Sequence, residues 1–250
     1  IYYLIDLYDK IYIKKIKNKK SDRISFYGPF SKDLNQSNNS VKKILNLMRK
    51  KKLIFEYYSV KIYKNIPVFA GFGGGTSNAA TLLNYLSRKK LNKNVLNKMA
   101  EEIGSDLRLF FYNRGYQKNL KSVIKLRKKY QFYFLLAFPR IKNSTKHIYS
   151  KVRSYSSSIN PSRKDLSSRE RFIKFIVNSK NDLQSIVEKR HSVTSELLKN
   201  ISYKGCHFSR MTGSGSACYG LFTNKNCTKV ALKKLRKKYP KFWFSIAKTI

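Results

Sequence analysis

Four glycines, two hydroxyl residues and an asparagine stand together between residues 71 and 78, directly ahead of helix-forming sequence. They are Gly71, Gly73, Gly74, Gly75, Thr76, Ser77 and Asn78. Glycine adopts positive φ and carries no Cβ, so backbone N–H groups can wrap closely around a bound group. The first turn of the following helix adds unpaired N–H donors and the positive end of the helix dipole. The pattern therefore predicts a phosphate site, where the two hydroxyls donate further hydrogen bonds or cap the helix.

The predicted phosphate site belongs to neither of the two common glycine-rich classes. No Gly-Lys-Ser/Thr follows the glycines, so the loop is not a P-loop, and the spacing is not that of a dinucleotide fingerprint. A flexible turn with an Asn or Ser cap would show the same short pattern. The glycines alone do not decide between these two interpretations.

Two other segments carry residues that could act beside a bound phosphate. Asp106 lies in residues 104–111, GSDLRLFF, after a helix-ending glycine and before an apolar run. By itself such an aspartate fits an N-cap or a turn. Residues 210–222, RMTGSGSACYGLF, carry Gly213 and Gly215 on either side of Ser214. By itself this segment fits an ordinary glycine turn between a helix and a strand.

The elements that must position these residues alternate between strand and helix patterns. Apolar residues at a spacing of two, or short apolar runs, predict strands at residues 1–13, 24–27, 53–63, 132–138 and 242–246. Helical spacing and caps predict helices at residues 41–51, 79–86, 94–103, 171–177, 182–198 and 228–238. Residues 154–169 are rich in Ser, Arg and Asn and predict a loop. The chain is therefore predicted to be mixed α and β, with a domain change near residue 130.

The composition limits the classes of function. Of 250 residues, 42% are hydrophobic, which is enough for packed cores, and the formal charge is +41. Such a charge is typical of a nucleic-acid binder, but the basic residues are spread along the whole chain without a recognition motif. Lysine, Asn, Ile, Tyr and Phe are used heavily together, which indicates A/T-rich coding bias. We therefore expect no specific nucleic-acid partner.

Two further absences narrow the prediction. The three cysteines have spacings of neither a zinc site nor a disulfide framework, so no metal site built by the chain alone is predicted. No apolar run approaches the ~20 residues that cross a bilayer, so no membrane partner is predicted.

Residues 67–80, PVFAGFGGGTSNAA, support a more specific interpretation. The string resembles the Pro-x-x-x-Gly-Leu-Gly-Gly-Gly-Ser-Ser-Asn-Ala-Ala signature of the 4-diphosphocytidyl-2-C-methyl-D-erythritol kinases. These are a family of the galactokinase/homoserine kinase/mevalonate kinase/phosphomevalonate kinase (GHMP) superfamily. In that family the loop holds the ATP phosphates, which implies ATP binding by residues 71 and 73–78. Phe69 and Ala70 replace glycines common in the family, and Phe72 replaces leucine.

The same resemblance assigns a role to Asp106. The family carries Gly-Ala/Ser-Asp-Val-Pro-Phe-Phe at this point, and its Asp is the catalytic base, which takes the proton of the attacking hydroxyl. Arg108 stands where the family has proline. This departure predicts a cation near the base.

Two later segments are similar to the family's substrate-binding segments. Residues 139–151, PRIKNSTKHIYSK, imply that Thr145 lies near the base and that Tyr149 stacks on the substrate's cytosine. Packing of Tyr149 into a helix face is the open alternative. Residues 210–222 resemble the superfamily's third motif, which implies that Gly213, Ser214 and Gly215 lie beside the transferred phosphate or the substrate diphosphate.

The resemblance implies a two-domain α/β (α+β) fold. An ATP-binding, ribosomal-protein-S5-like domain would span residues 1–130, and a ferredoxin-like domain would span residues 131–250. The implied reaction is transfer of the ATP γ-phosphate, with Mg²⁺, to the 2-hydroxyl of 4-diphosphocytidyl-2-C-methyl-D-erythritol. The implied location is the bacterial cytoplasm or a plastid-like organelle.

Two departures from the family keep alternatives open. The family's Pro-Ala-Lys strand and Gly-Tyr-His are not found, so the start of the domain is expected to be missing. Residues 119–125, NLKSVIK, stand where the family has a Gly-x-Gly-Glu hairpin. The alternatives are another kinase of the superfamily, or a degenerate, non-catalytic relative that binds polyanions through its lysines. The sequence does not predict an oligomeric state.

Overall fold

The computed structural model describes residues 1–17, 20–35, 37–87, 91–157 and 159–250. It is mixed α and β, as the sequence predicts, and it divides into two units. The first unit comprises residues 1–68 and 73–126, and the second comprises residues 69–72 and 127–250. The glycine-rich segment is therefore shared, because residues 69–72 pack with the second unit and the chain returns to the first at Gly73.

The described residues of the first unit form six strands, three α-helices and one 3₁₀ helix. They are β1 Tyr2–Tyr3, β2 Lys10–Ile16, β3 Arg23–Tyr27, α1 Ser40–Lys50, β4 Tyr57–Tyr63, α2 Gly74–Ser87, α3 Lys93–Ile103, the 3₁₀ helix Ser105–Phe111, β5 Arg114–Asn119 and β6 Ser122–Lys125. One sheet has the order β2-β4-β3, with β2 antiparallel and β3 parallel to β4. The other sheet, β1-β5-β6, is antiparallel.

Helix α1 shows how local sequence and the core cooperate in the first unit. The side chain of Asn39 caps it by accepting a hydrogen bond from the Lys42 N–H at 2.9 Å. Val41, Ile44 and Met48 recur at helical spacing and are buried. They pack in one core with the inward residues of β4 and with α2. The apolar face of α1 thereby forms part of the surface against which α2 packs.

The hairpin predicted to be altered is present. Strands β5 and β6 pair antiparallel, and Asn119 lies opposite Ser122 across the turn. The Asn119 side chain accepts a hydrogen bond from the Lys121 N–H at 3.0 Å, which closes the turn without the family's glycines. Gly115 remains necessary, because a Cβ there would lie 2.6 Å from the Ile124 carbonyl oxygen.

Several helices and strands begin or end at residues other than those predicted from the sequence. Helix α2 begins at Gly74 rather than at residue 79, so Gly74 to Asn78 form its first turns. Residues 1–13, predicted as one or two strands, form β1 and the start of β2, and the strand predicted from residue 53 begins at Tyr57. Tertiary burial of Ala79 and Ala80 outweighs the low helix propensity of the preceding glycines.

The second unit has the ferredoxin-like arrangement that the resemblance implies. Its described elements are β7 Tyr133–Phe138, α4 Thr145–Tyr149, α5 Arg169–Asn178, α6 Gln184–Arg190, α7 Ser192–Ser202, β8 Phe208–Met211, β9 Cys218–Phe222, α8 Lys225–Lys238 and β10 Trp243–Lys248. The four strands form an antiparallel sheet in the order β10-β7-β9-β8. This is the order of a β-α-β-β-α-β ferredoxin-like sandwich, with extra helices in the first crossover.

Helices α7 and α8 cover the sheet of the second unit. Leu197 and Ile201 of α7 and Leu235 of α8 pack on Leu135 and Phe222 of the strands. The single helix predicted at residues 182–198 is instead broken at His191, whose backbone has the non-helical angles φ −137° and ψ 89°. The His191 N–H ends α6 on the Val187 carbonyl, and the His191 carbonyl accepts the Thr194 N–H at the start of α7. Two short helices thus stand where one longer helix was predicted.

The remaining features of the described residues are simple. The three cysteines are free thiols. In the part of the chain that the structure describes, no helix has the length and apolar character needed to cross a bilayer.

Replacing Leu83 by alanine tests the importance of the α2 face in the first core. Leu83 is 0% exposed among the residues of α1 and β4. Leu83→Ala should lower the free energy of unfolding by about 2–5 kcal/mol, because it removes buried contacts and leaves a cavity. Tyr85→Ala, on the same helix at 67% exposure, should change it by less than about 0.5 kcal/mol. Urea unfolding of the three proteins measures both, and equal losses would contradict the assigned face.

Candidate functional site

The start of α2 presents backbone donors at the protein surface. The first helical hydrogen bond runs from the Ser77 N–H to the Gly73 carbonyl at 2.8 Å. The N–H groups of Gly74, Gly75 and Thr76 come before this first bond, so the helix itself offers them no carbonyl acceptor. Gly73 and Gly75 are exposed. N–H groups and a helix dipole in this arrangement favour a bound anion, which is the chemistry of the predicted phosphate site.

The glycines of this segment make room for side chains that pack beneath it. Gly73 has φ +70°, and a Cβ there would lie 3.1 Å from Phe110 Cζ. A Cβ on Gly74 would lie 3.1 Å from Ile66 Cγ2. A side chain at Gly74 would thus strain the protein beneath the helix rather than occupy the space of a ligand.

A second helix begins beside the first. Ser40 opens α1, and its Oγ lies 3.3 Å from the position that a Cβ on Gly75 would take. The positive ends of the α1 and α2 dipoles are therefore close together, which favours an anion more than one helix would. Sequence reasoning missed Ser40, because only the fold brings residue 40 next to residue 75.

The other end of the glycine-rich segment is held within the second unit. The Ala70 carbonyl accepts the Ala217 N–H at 3.0 Å, and the Gly71 carbonyl accepts the Thr212 hydroxyl at 3.2 Å. Gly71 has φ +84°, and a Cβ on it would overlap the Thr212 carbonyl oxygen. The third motif thus holds residues 70 and 71 by hydrogen bonds to their carbonyls. Its backbone approaches residue 71 so closely that only glycine fits there.

Phe69 explains why the family favours glycine at its position. Its φ is +56°, in the left-handed region that β-carbon-bearing residues avoid. Keeping phenylalanine there costs about 1–2 kcal/mol. Phenylalanine therefore adopts a backbone conformation that glycine would adopt without this cost.

The third motif and the segment of Thr145 lie together. The hydroxyls of Thr145 and Ser214 are 2.9 Å apart, and Ser214 is buried. The Asn143 side chain donates to the Ser214 carbonyl at 3.4 Å, and Asn181 donates to the Gly213 carbonyl at 2.9 Å. Gly213 and Gly215 both have positive φ. Asn143 and Asn181 were not predicted as site residues, although they order the loop.

Tyr149 lies on the outer side of α4. Ile148, the preceding residue, is fully buried, whereas Tyr149 is 50% exposed. About half of this side chain is accessible, so stacking on cytosine and packing against a helix face both stay predictions. Thr145 and Tyr149 lie one turn apart on the same helix, so one rigid element carries both predicted substrate-binding residues.

Asp106 lies in the first turn of the 3₁₀ helix that also carries Phe110, the residue against Gly73. The Asp106 side chain reaches solvent. Desolvation by neighbouring groups nevertheless raises the pKa of its carboxyl, and the Ser105 hydroxyl, at 3.4 Å, lowers it more weakly. A raised pKa makes the carboxylate a better proton acceptor.

Arg108, the cation predicted beside Asp106, is directed to α3 instead. Arg108 is buried, and its guanidinium donates to the Asn97 side chain at 2.7 Å and to the Asn97 carbonyl at 3.1 Å. It therefore ties the 3₁₀ helix to α3. The prediction was wrong because residues 106 and 108 of this tight helix do not project the same way.

Asn78 points inward. Its side chain is buried and donates to Asp9, which also contacts Lys64. Sequence reasoning did not single out Asp9 or Lys64. The structure therefore brings a polar cluster beneath the start of α2, whereas the predicted residues of the glycine segment lie above it.

The comparisons with known proteins agree on one superfamily. The model of the GHMP kinases N terminal domain matches residues 39–113, and that of the GHMP kinases C terminal domain matches residues 163–241. The 4-diphosphocytidyl-2-C-methyl-D-erythritol kinase of Pelagibacter ubique is 36% identical, over 98% of this chain and 88% of that protein. The kinase of the same name from Clostridioides difficile is 29% identical, over 94% of this chain and 81% of that protein.

Solved structures show the same fold at low identity. A 4-(cytidine 5'-diphospho)-2C-methyl-D-erythritol kinase superposes with a TM-score of 0.70 and 20% identity, covering 97% of this chain and 87% of that one. A homoserine kinase from Cytophaga hutchinsonii superposes with a TM-score of 0.66 and 15% identity, covering 99% and 88%. The predicted two-domain fold class is thereby confirmed.

The raised pKa of Asp106 predicts how stability depends on pH. Because the folded state holds this proton more tightly than the unfolded state, Asp106 favours folding less as pH rises through its raised pKa. Asp106→Asn should therefore be at least as stable as the unsubstituted protein at pH about 7, and lose that advantage at pH about 4. Urea unfolding at both values measures the difference.

Asp165 provides a control of opposite sign. Hydrogen bonds from Ser162 lower the pKa of the Asp165 carboxyl, so its contribution to stability is present at neutral pH and lost on acidification. Asp165→Asn should thus lower stability at neutral pH. The same sign for both substitutions would contradict the assigned environment of Asp106.

Proposed function

The chain belongs to the 4-diphosphocytidyl-2-C-methyl-D-erythritol kinases of the GHMP superfamily, and on this premise we propose that it transfers the γ-phosphate of ATP to the 2-hydroxyl of 4-diphosphocytidyl-2-C-methyl-D-erythritol. The observation that carries the proposal is the start of α2. Its three N–H groups ahead of the first helical bond lie in the same unit as the predicted base, Asp106.

In the proposed complex, the ATP phosphates bind at this helix start. The N–H groups of Gly74, Gly75 and Thr76 donate to phosphate oxygens, and the hydroxyls of Thr76 and Ser77 add to them. Backbone donors on a rigid helix need little reorganisation when charge moves during transfer. Gly71 and Gly73 set the path of the chain into this helix through their positive φ.

Asp106 acts as the general base in this proposal. Its carboxylate accepts the proton of the substrate 2-hydroxyl while the oxygen forms a bond to the γ-phosphorus. The bond between that phosphorus and the β–γ bridging oxygen breaks, and ADP leaves with its electrons. The raised pKa of Asp106 supports this role, because the group then holds the proton more readily.

The second unit contributes the proposed substrate groups. Positive φ at Gly213 and Gly215 shapes the third-motif loop that we propose to face the substrate diphosphate, while Ser214 and Thr145 are held together by their hydroxyls. Tyr149 offers a half-exposed ring for stacking on cytosine. These residues would bind the diphosphate and the base, respectively.

Magnesium fits this site only together with ATP. The described residues contain no group of three or more His, Cys, Asp or Glu placed to hold a metal. Mg²⁺ commonly takes one or two protein ligands, waters and substrate phosphates, and the Ser77 hydroxyl in the first turn of α2 suits that role. Bound in this way, it would neutralise charge on the β- and γ-phosphates.

Asparagine at position 106 tests the reaction directly. Asp106→Asn keeps the shape and removes the proton acceptor, so kcat should fall by about 10²- to 10⁴-fold while ATP affinity stays within about twofold. Glu102→Gln, which removes an exposed acid from α3, should leave kcat unchanged. Formation of ADP and of the phosphorylated cytidine substrate measures turnover.

The same assay separates the kinase from a polyanion binder. An unsubstituted protein that binds RNA in low salt but transfers no phosphate would overturn the proposed function. Turnover of the Asp106→Asn variant within a few-fold of the unsubstituted enzyme would remove only the role of Asp106.

Alanine at position 149 tests the cytosine contact. Because stacking contributes about 1–3 kcal/mol per base, Tyr149→Ala should raise the KM for the cytidine substrate roughly 5- to 150-fold and leave the KM for ATP unchanged. Tyr203→Ala, at 79% exposure in the same unit, should change neither. A parallel rise in both KM values would indicate a packing defect instead.

A further inference from the structure

A fully buried carboxylate lies beneath the start of α2. Asp9 Oδ1 accepts hydrogen bonds from the Asn65 N–H at 2.8 Å and the Ile66 N–H at 2.9 Å. Asp9 Oδ2 accepts one from the Asn78 side chain at 3.0 Å and a charged one from Lys64 Nζ. One side chain thus joins the segment before β2, the turn after β4 and the first turns of α2.

The partner cation lies against the first residue of α2. Lys64 Nζ is 3.5 Å from the position that a Cβ on Gly74 would take, and its side chain is 2% exposed. The carboxylate contacts Asn78, one turn further into the helix. Both members of the ion pair therefore lie against the first turns of α2, with the ammonium beside Gly74.

Stability alone does not account for this pair. Removing two charges from water is costly, and replacing a buried ion pair by apolar residues is often neutral or stabilising. A cation close to a helix N-terminus also opposes the helix dipole. Both costs are offset when an anion binds at the same helix start, because the ammonium then faces opposite charge in a poorly solvated environment.

We propose that Asp9 and Lys64 are positioning residues of the phosphate site. Asp9 fixes the turn at residues 64–66 and the first turns of α2, which directs the N–H groups of Gly74 to Thr76. Lys64 supplies buried positive charge behind those groups and raises the affinity for the nucleotide's phosphates. The inference rests on the proposed function, since it concerns the same ATP site.

Three variants separate this role from a structural one. Lys64→Met removes the cation and leaves Asp9 buried without it, so it combines an electrostatic effect with a folding defect. The double variant Lys64→Met/Asp9→Asn removes both charges, and the amide oxygen can still accept the two backbone N–H groups. Lys61→Met makes the same change of net charge at an exposed position of β4.

The readouts are the affinities for ATP and for adenosine by calorimetry, the two KM values, and the midpoint of urea unfolding. We expect the double variant to unfold close to the unsubstituted protein and to bind ATP at least about tenfold more weakly, equivalent to 1.4 kcal/mol. Its affinity for adenosine and its KM for the cytidine substrate should stay within about twofold. Lys61→Met should match the unsubstituted protein in every measurement.

Each alternative result has a distinct meaning. ATP affinity restored in the double variant, or equal losses for ATP and adenosine, would show that the pair only supports the fold and would overturn the inference. If the double variant unfolds more easily, the comparison of ATP with adenosine still decides, because a general loosening affects both ligands. Failure of the unsubstituted protein to bind ATP would instead overturn the proposed function, and this inference with it.

Discussion

A carboxylate without access to water must have its hydrogen bonds satisfied by the protein, and that constraint at Asp9 orders much of the first unit. Its two oxygens accept from two backbone N–H groups, one amide and one ammonium. Three of these donors belong to the turn at residues 64–66 after β4, and the amide of Asn78 belongs to α2. The turn after β4 cannot move without leaving a buried charge unpaired, which is far more costly than losing a surface contact. The glycine segment therefore follows directly after a rigid turn, although glycine is intrinsically the most flexible residue type.

The fold was predictable where sequence signals were local. Asn39 and the apolar spacing of Val41 to Met48 specify α1, and Gly104 ends α3 as expected. The errors occurred where tertiary contacts override propensity. Burial of Ala79 and Ala80 extends α2 back through two glycines, and the predicted helix is broken at His191, where apolar spacing gave no signal of an end. The strand order of each sheet depends on pairings distant in sequence, which periodicity does not encode, and the family resemblance supplied it for the second unit.

The candidate site was predictable to the same extent. The residues of a phosphate-binding glycine loop are adjacent in sequence, so the segment from Gly71 to Ser77 was recognisable without the fold. Asp9 and Lys64 are 55 residues apart, and Asp9 and Asn78 are 69 apart, so nothing in the local sequence identifies their cluster. The local sequence also does not indicate the direction in which a side chain points. Arg108 was expected beside Asp106, yet it binds Asn97 on another helix.

The division of the glycine-rich segment between two units bears on the order in which the protein is made. Ala70 and Gly71 are held by Ala217 and Thr212, nearly 150 residues later. At about 5–20 residues per second, a ribosome needs roughly 7–30 s to synthesise that interval. During this time the nascent first unit can bury its own core, but residues 69–72 have no third motif to bind. Nucleotide binding is thus expected to become complete only late in synthesis, when the second unit folds around the segment.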